Sequence, residues 1–361
     1  MMQDVHYVGL DVHKKTIAFC EKKQDGRVVE EGVLEATRSA LQSWANRRVP
    51  WVGGMEATLF TGWIYDFLKP FAVELKVGHP LMLRSICAGK KKSDKIDARK
   101  LADLLRCDLF PESYMAPAAL RDLRRVLRFR NLLVRQAVRM KNKTAGLLME
   151  CGVAYEKRRL HGRAYFRELL EKIEDVPESL PTLLNMSRSA METFDLAQKR
   201  LITALRESEN LAGRVELLMT IPGVGEVTAL TWALEAGPVE RFAGIRNAIS
   251  YCGLCSAQRE SAGKIQRGPL SKQRNKFLQS SLIEAAKLAP QWNPQLAEVR
   301  DRELESGHHN QATIAVARKL VAYLVAVDRS KKPFQFTNSK PEQKEEVDAL
   351  ESPSLSSAHC P

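Results

Sequence analysis

The sequence runs to 361 residues, with 44% hydrophobic and 27% charged side chains and a formal net charge of +13 at pH 7. That is enough chain for two or three domains with their own cores, and a basic balance that most often answers polyphosphate. No apolar run approaches the roughly 20 residues needed to span a bilayer and no basic-then-apolar signal segment opens the chain, which argues against a membrane or exported protein and for a cytoplasmic one with nucleic acid as its partner class. The seven cysteines are scattered and odd in number, which suits reduced thiols, and the one close pair, Cys252 and Cys255, reads as two buried thiols rather than half a zinc site.

From Val5 the apolar residues alternate toward Asp11, and a second apolar run follows over residues 17–20, so the opening reads as one strand turning into another, with Asp11 at the first strand's end. Residues 27–34 read as a third strand after a turn at Asp25 and Gly26, and residues 36–48 as a helix. A short strand over residues 50–56 carries Gly53 and Gly54 into Glu56, followed by a helix over 60–68 and a fifth strand over 72–77. Three consecutive strands and then alternating helices and strands predict a mixed sheet of the ribonuclease H type rather than a doubly wound parallel one.

Ser93 is placed to cap a helix on which Asp94 and Asp97, three residues apart, share one face, while Ile96, Leu101, Leu104 and Leu105 supply the buried side. Acids in a first turn are favoured by the helix dipole with no metal at all, so this pair by itself reads either way. Four acids from two strand ends and one helix start, Asp11, Glu56, Asp94 and Asp97, are a different matter. Gathered carboxylates repel unless a cation lies between them, and oxygen ligands suit a hard divalent ion such as Mg2+ or Mn2+. Two such ions about 3.5–4 Å apart fit phosphodiester chemistry. A sugar-kinase-like or actin-like ATPase would want glycine-rich phosphate loops, and this half has none.

Pro111 and Pro117 punctuate the end of a first domain, taken as residues 1–115, ahead of a helical coiled-coil region over 116–212. Apolar residues recur from Leu120 to Leu148 at helical spacing, and a second such stretch over 180–211 is expected to return antiparallel to it, pairing within the chain or between chains. Between Arg121 and Lys143 nine basic residues stand against Asp122 alone, and Arg121, Arg125, Arg128, Arg135 and Arg139 share a face. A solvated face ordinarily carries both signs, so this one reads as a nucleic-acid track.

A third, mostly helical region over 213–330 holds a helix-hairpin-helix-like motif at Ile221-Pro222-Gly223-Val224-Gly225, where Gly223 and Gly225 would let backbone N–H groups approach a phosphate. Beyond Glu260 no acid occurs before Glu284, while Lys264, Arg267, Lys272, Arg274 and Lys276 accumulate, and Ser261 sits on a small-residue loop beside them, ahead of a helix over 271–289. A serine there could attack a held phosphodiester, but it needs a base or metal that the local sequence lacks, so alone it reads as an ordinary turn residue. His308 and His309 read as surface residues, and residues 331–361, rich in Lys, Pro, Ser and Glu, as a disordered tail.

Gly9-Leu10-Asp11-Val12-His13-Lys14, Met55-Glu56-Ala57-Thr58, Lys92-Ser93-Asp94-Lys95-Ile96-Asp97-Ala98 and the block from Ile221 to Ala286 resemble, in that order, the DEDD transposases of the insertion-sequence "one-ten" family, relatives of Piv-type DNA invertases. The resemblance implies a RuvC-like, ribonuclease H-fold domain, a joining coiled coil and a C-terminal transposase domain with a serine nucleophile. It further implies that Asp11, Glu56, Asp94 and Asp97 hold magnesium, that Ser261 forms a phosphoserine linkage to DNA, and that the active site is assembled across a homo-oligomer, a dimer or tetramer. A structured non-coding "bridge" RNA that pairs with donor and target DNA belongs to the same implication. Where the family loop often reads Ser-Ser-Gly-Gly-Lys, this chain has Glu260-Ser261-Ala262-Gly263-Lys264, leaving Ser261 as its serine. Two other readings compete: a metal-only, junction-resolving nuclease in which Ser261 merely binds DNA, and a non-catalytic nucleic-acid-binding protein.

Overall fold

A computed structural model describes residues 5–46, 49–86, 93–261, 263–305 and 307–336. The first region is a five-stranded sheet in the order β3-β2-β1-β4-β5, formed by β1 (His6–Val12), β2 (Thr16–Lys22), β3 (Val28–Glu35), β4 (Trp51–Glu56) and β5 (Glu74–Gly78). β1, β2 and β3 pair antiparallel through tight connections, whereas β4 and β5 join in parallel after crossovers that contain helices α1 (Arg38–Ala45) and α2 (Thr61–Leu68). All five strands lie where the apolar alternation predicts them.

The alternation also sorts the two faces of the sheet. Val8, Leu10 and Val12 of β1, with Ile17 and Phe19 of β2 and Met55 of β4, point into a core shared with Leu41 and Trp44 of α1 and Ile64 and Leu68 of α2. Trp44 stands edge-on to both Phe19 and Trp51, each with ring centroids 5.4 Å apart. The intervening residues face the opposite side, where, after α3 (Pro80–Ile86), helix α4 (Asp94–Arg106) lies across β1 and β2. Ala18 and Cys20 meet Ala98 there. Bidentate hydrogen bonds of 2.7 Å from Arg99 to Glu31, and a 2.6 Å bond from Lys22 Nζ to Asp103, fasten the helix to the antiparallel strands.

Helix α5 (Ala118–Glu150) runs away from this domain, the chain turns through α6 (Arg163–Lys172), and α7 (Ser179–Arg206) returns along α5. The pairing is antiparallel and within the chain: Leu147 and Leu148 at the end of α5 pack with Leu180 and Leu184 at the start of α7, and Leu127 near the start of α5 shares a core with Leu205 near the end of α7.

The remaining helices build one core around the returning arm: α8 (Glu209–Met219), α9 (Glu226–Thr231) continuing into a π-helical turn Trp232–Ala236, α10 (Ile245–Tyr251), α11 (Lys276–Leu288), α12 (Pro294–Leu304) and α13 (His309–Ser330). Cys252 is buried, which pushes its thiol up to about 12, while Cys255 is only half-buried. His308 caps α13 and His309 opens it, both exposed. No helix among the described residues is long and apolar enough to cross a membrane. The tail expected over 331–361 falls outside the described residues beyond Phe336.

Two expectations are corrected here. The stretch read as a loop around Ser261 is a β-hairpin of β6 (Ser256–Ser261) and β7 (Lys264–Leu270), paired Glu260 to Ile265 and Ser261 to Lys264. The helix expected from residue 271 begins five residues later, because Asn275 caps it through its side-chain oxygen, which accepts from Phe277 N at 3.0 Å and Leu278 N at 3.2 Å.

Candidate active site at the sheet end

The site begins with a glycine. A Cβ on Gly9 would stand 2.1 Å from the Ala98 carbonyl oxygen and 2.6 Å from the Ala102 nitrogen, so only a residue without a side chain lets β1 lie directly against the α4 backbone. Side chains two apart on a strand share a face. Since Gly9 looks at Ala98 and Ala102, Asp11 looks one turn earlier along α4, at Asp94 and Asp97. That turn is held in place by Ser93, whose Oγ accepts from Ile96 N at 3.3 Å.

The neighbouring strand repeats the device. Gly54 pairs in register with Gly9, and a Cβ there would meet Phe110 and Leu105 of the same layer. Glu56, two residues on, therefore ends β4 on the face where Asp11 ends β1. Register pairs Leu10 with Met55, which places Asp11 and Glu56 side by side one step later.

Within this group, ligand atoms of Asp11, His13 and Asp94 all lie within 4.8 Å of one another. His13 Nε2 is 3.2 Å from Asp11 Oδ2 and 3.6 Å from Asp94 Oδ1. The imidazole supplies either a ligand nitrogen or, protonated, a positive charge between the two carboxylates. Burial is the largest influence on Asp11 and raises its carboxyl above the ordinary range; Asp94 and Asp97 push the same way, and His13 pulls against them. A half-buried carboxylate facing two more is the donor set that a hard divalent cation relieves, so the residues fit such an ion.

His13 was not singled out as a site residue from the sequence. The available signal was its nearness in sequence, since an imidazole two residues past Asp11, just beyond the end of β1, is within reach of that carboxylate.

Ser261 lies elsewhere. It ends β6 at the tip of the β6–β7 hairpin, exposed, next to Gly263 at φ +74°. Among the described residues β6 and β7 make their extensive contacts only with each other, so the hairpin stands off the helical core. Ala262 lies outside the described residues and so does the side chain of Arg267, while Lys264 is exposed on β7. Lys272 and Arg274 are exposed in the following turn, Arg274 donating to the Ser271 carbonyl at 2.8 Å, and exposed Lys276 opens α11 with its ammonium over the Phe277 ring.

The arginine stripe on α5 divides into two groups. Arg121 is committed to Asp66 of α2 and to the Ala116 carbonyl, and Arg128 makes a bidentate pair of 2.7 and 2.8 Å with Glu235, which is wholly buried. These two join the arm to its neighbours, which revises their reading as part of a nucleic-acid track. Arg125, paired with Asp122, and Arg135 and Arg139 remain exposed. Arg128→Ala leaves the Glu235 charge buried with Asn275 as its remaining side-chain donor, a loss of about 3–5 kcal/mol by analogy with broken buried pairs. Urea denaturation should show that loss, while Arg135→Ala, at an exposed position of the same helix, leaves the midpoint unchanged.

The two glycines of the helix-hairpin-helix turn also part ways. Gly223 has φ +94° and a Cβ on it would sit 2.5 Å from the Ala289 Cβ, so its need is interior packing. Gly225, the residue before α9, faces open space.

Comparison with known proteins falls in the same two regions. A DEDD transposase profile of the IS110 type matches residues 8–152, and the profile "Transposase IS116/IS110/IS902 family" matches residues 215–300. The chain is 23% identical over 340 residues to the transposase for insertion sequence element IS1328 of Yersinia enterocolitica, covering 90% of this chain and 97% of that one. It is 25% identical to a probable family 20 transposase of Pseudomonas aeruginosa, over 65% of this chain and 72% of the relative. With the transposase for insertion sequence element IS1111A of Coxiella burnetii the identity is 22%, over 79% and 78%.

Proposed function

We propose that this chain, whose two regions match the DEDD transposase profile of the IS110 type and the IS116/IS110/IS902 profile, is a transposase of that kind, cleaving and rejoining DNA to move an insertion sequence with a Mg2+-binding site of Asp11, Glu56, Asp94 and Asp97 and a serine nucleophile, Ser261. The observation that carries this reading is the convergence of Asp11 and Asp94 on one another across the Gly9 seat, with Glu56 at the adjoining strand end and Asp97 in the same first helical turn as Asp94. The strand order 3-2-1-4-5, antiparallel then parallel, supports a ribonuclease H-type, RuvC-like domain beneath that site. Held by these carboxylates, a divalent ion would supply Lewis acidity for phosphodiester chemistry.

The carboxylates of this chain bind and orient. Asp11 and Glu56 are held by the rigid ends of two central strands, and Asp94 and Asp97 by the first turn of a capped helix, so none depends on a loop for its position. Ser261 Oγ forms a bond to phosphorus as the bond from phosphorus to one DNA sugar oxygen breaks. The hydroxyl proton passes from Oγ to water, and the departing sugar oxygen takes a proton from water and leaves as the free hydroxyl end of the cut strand. Because the hairpin tip stands apart from its own sheet, Ser261 works with the carboxylates of a second copy in a homo-oligomer. Lys264, Lys272, Arg274 and Lys276 place positive charge around the phosphate it attacks. Guidance by a structured non-coding RNA is part of the same reading, and sequencing RNA that co-purifies with the protein tests that part.

A nicked suicide DNA substrate with Mg2+ and co-purified RNA tests the chemistry. The expected result is a covalent protein–DNA adduct whose phosphopeptide contains Ser261 and which Ser261→Ala eliminates. Strand cleavage that persists undiminished in Ser261→Ala, with no adduct in either protein, would instead establish a metal-only nuclease.

A further inference from the structure

A groove of about 950 Å³ lies between α5, the turn before α9, and α11. Its apolar wall includes Met219, Leu288 and Trp292, which are 43%, 52% and 58% exposed, unusually open for large apolar side chains in one depression. Arg130, Arg135 and Lys276 supply positive charge, with Glu284 the acid among the lining groups. Arg130 is the telling residue. Its terminal nitrogen donates to Asn131 Oδ1 at 3.1 Å, yet its Nε is buried with no hydrogen-bond partner, and burial holds its guanidinium below the ordinary range. A buried donor left unsatisfied costs about 1–3 kcal/mol, and an incoming oxyanion would recover it.

The course of the chain brings such oxyanions to the groove. After α13 the backbone turns at Lys331, φ +54°, and Phe334 packs edge-on against Tyr323 with ring centroids 4.9 Å apart. Phe334 N donates to Thr220 Oγ1 at 2.8 Å. Thr220 sits between Met219 and Ile221, both of which line the groove, so the chain is fastened at the groove's mouth just before residue 337. From there on its composition reverses. Residues 337–361 contain Glu342, Glu345, Glu346, Asp348 and Glu351 against Lys340 and Lys344, in a chain whose net charge is +13. The acids surround Val347 and Leu350, which offer apolar contacts to an apolar wall.

We propose that this groove binds the acidic segment around residues 342–351 of the same chain, with its carboxylates on Arg130, Arg135 and Lys276 and with Val347 and Leu350 against Met219, Leu288 and Trp292. The reach is ample, since fourteen residues extend to about 46 Å. Tethering beside the mouth gives an effective concentration on the order of millimolar, so even weak contacts suffice. A DNA duplex could engage the cations at the rim, but it has nothing to cover the apolar wall, which favours the peptide. Arg135 and Lys276 are also among the residues offered to nucleic acid, so a docked segment competes with DNA for them; that consequence, unlike the docking itself, rests on the proposed function.

The test places a benzoylphenylalanine photocrosslinker at position 350 of the full-length chain and maps the products by mass spectrometry. The expected product is intramolecular and joins position 350 to peptides holding Met219, Leu288 or Trp292. Its yield should fall at least fivefold in the triple variant Glu345→Gln, Glu346→Gln, Asp348→Asn, and also in Trp292→Ala. Crosslinks to other surfaces, crosslinks between copies, or a yield indifferent to the triple variant would overturn the proposal. So would a bromodeoxyuridine-containing oligonucleotide that crosslinks to Met219 or Trp292 while no intramolecular product forms, since the groove would then belong to nucleic acid. None of these readouts requires catalysis, so failure of the strand-exchange chemistry leaves them interpretable.

Discussion

Asp11→Asn is expected to abolish metal-dependent strand cleavage while leaving the metal-free fold at least as stable as before. The first half follows from ligand chemistry: an amide offers one neutral oxygen where the site needs a charged one, and the loss of several kcal/mol of transition-state stabilisation corresponds to about a 10³-fold fall in rate. The second half follows from linkage. Burial, aided by Asp94 and Asp97, raises the Asp11 carboxyl, so its charged form is disfavoured in the folded chain. A carboxyl raised in this way contributes its stability below the ordinary carboxylate range and loses it as pH rises through the folded value. At neutral pH the ionised group is a burden that a neutral isostere removes. Calorimetry in a chelator should therefore give a melting temperature for Asp11→Asn equal to or above that of the parent, and a rise on adding Mg2+ or Mn2+ in the parent alone. A variant that melts well below the parent in chelator would make Asp11 a structural acid.

Gly9→Ala should do more damage than any single loss at the surface. Its methyl group would meet not a side-chain end that can rotate away but a carbonyl oxygen at 2.1 Å and a backbone nitrogen at 2.6 Å, both belonging to α4. Relief requires the helix to lift from the sheet, against the ties from Arg99 to Glu31 and from Lys22 to Asp103. Ordinary overpacking costs about 1–3 kcal/mol, and a backbone collision belongs above that range. The same lift carries Asp94 and Asp97 away from Asp11. Urea denaturation should show a loss of more than about 3 kcal/mol, and any folded fraction should lose its metal-induced rise in melting temperature. Parent-like stability together with parent-like metal response would remove the close packing of β1 on α4 from the account of the site.

The alternation through Val8, Leu10 and Val12 specified β1, its buried face and the position of Asp11, because a period of two leaves a strand no other register against a core. The same local logic placed the Ser93 cap, the Asp94 and Asp97 pair and the long helix of the arm. The meeting of Asp11 with Asp94 was decided by tertiary structure, since residues some eighty apart come together through the missing side chain at Gly9, and nothing near either acid states that distance. His13 reaches Asp11 locally, from just past the end of β1, and meets Asp94 through the same packing. The arginine stripe shows the converse: its period was correct, but a period does not say whether a face meets solvent or protein, and Arg128 met the buried Glu235. The hairpin carrying Ser261 escaped notice because small and polar residues leave no apolar alternation to read, and its two strands are held by backbone pairing that any side chain permits.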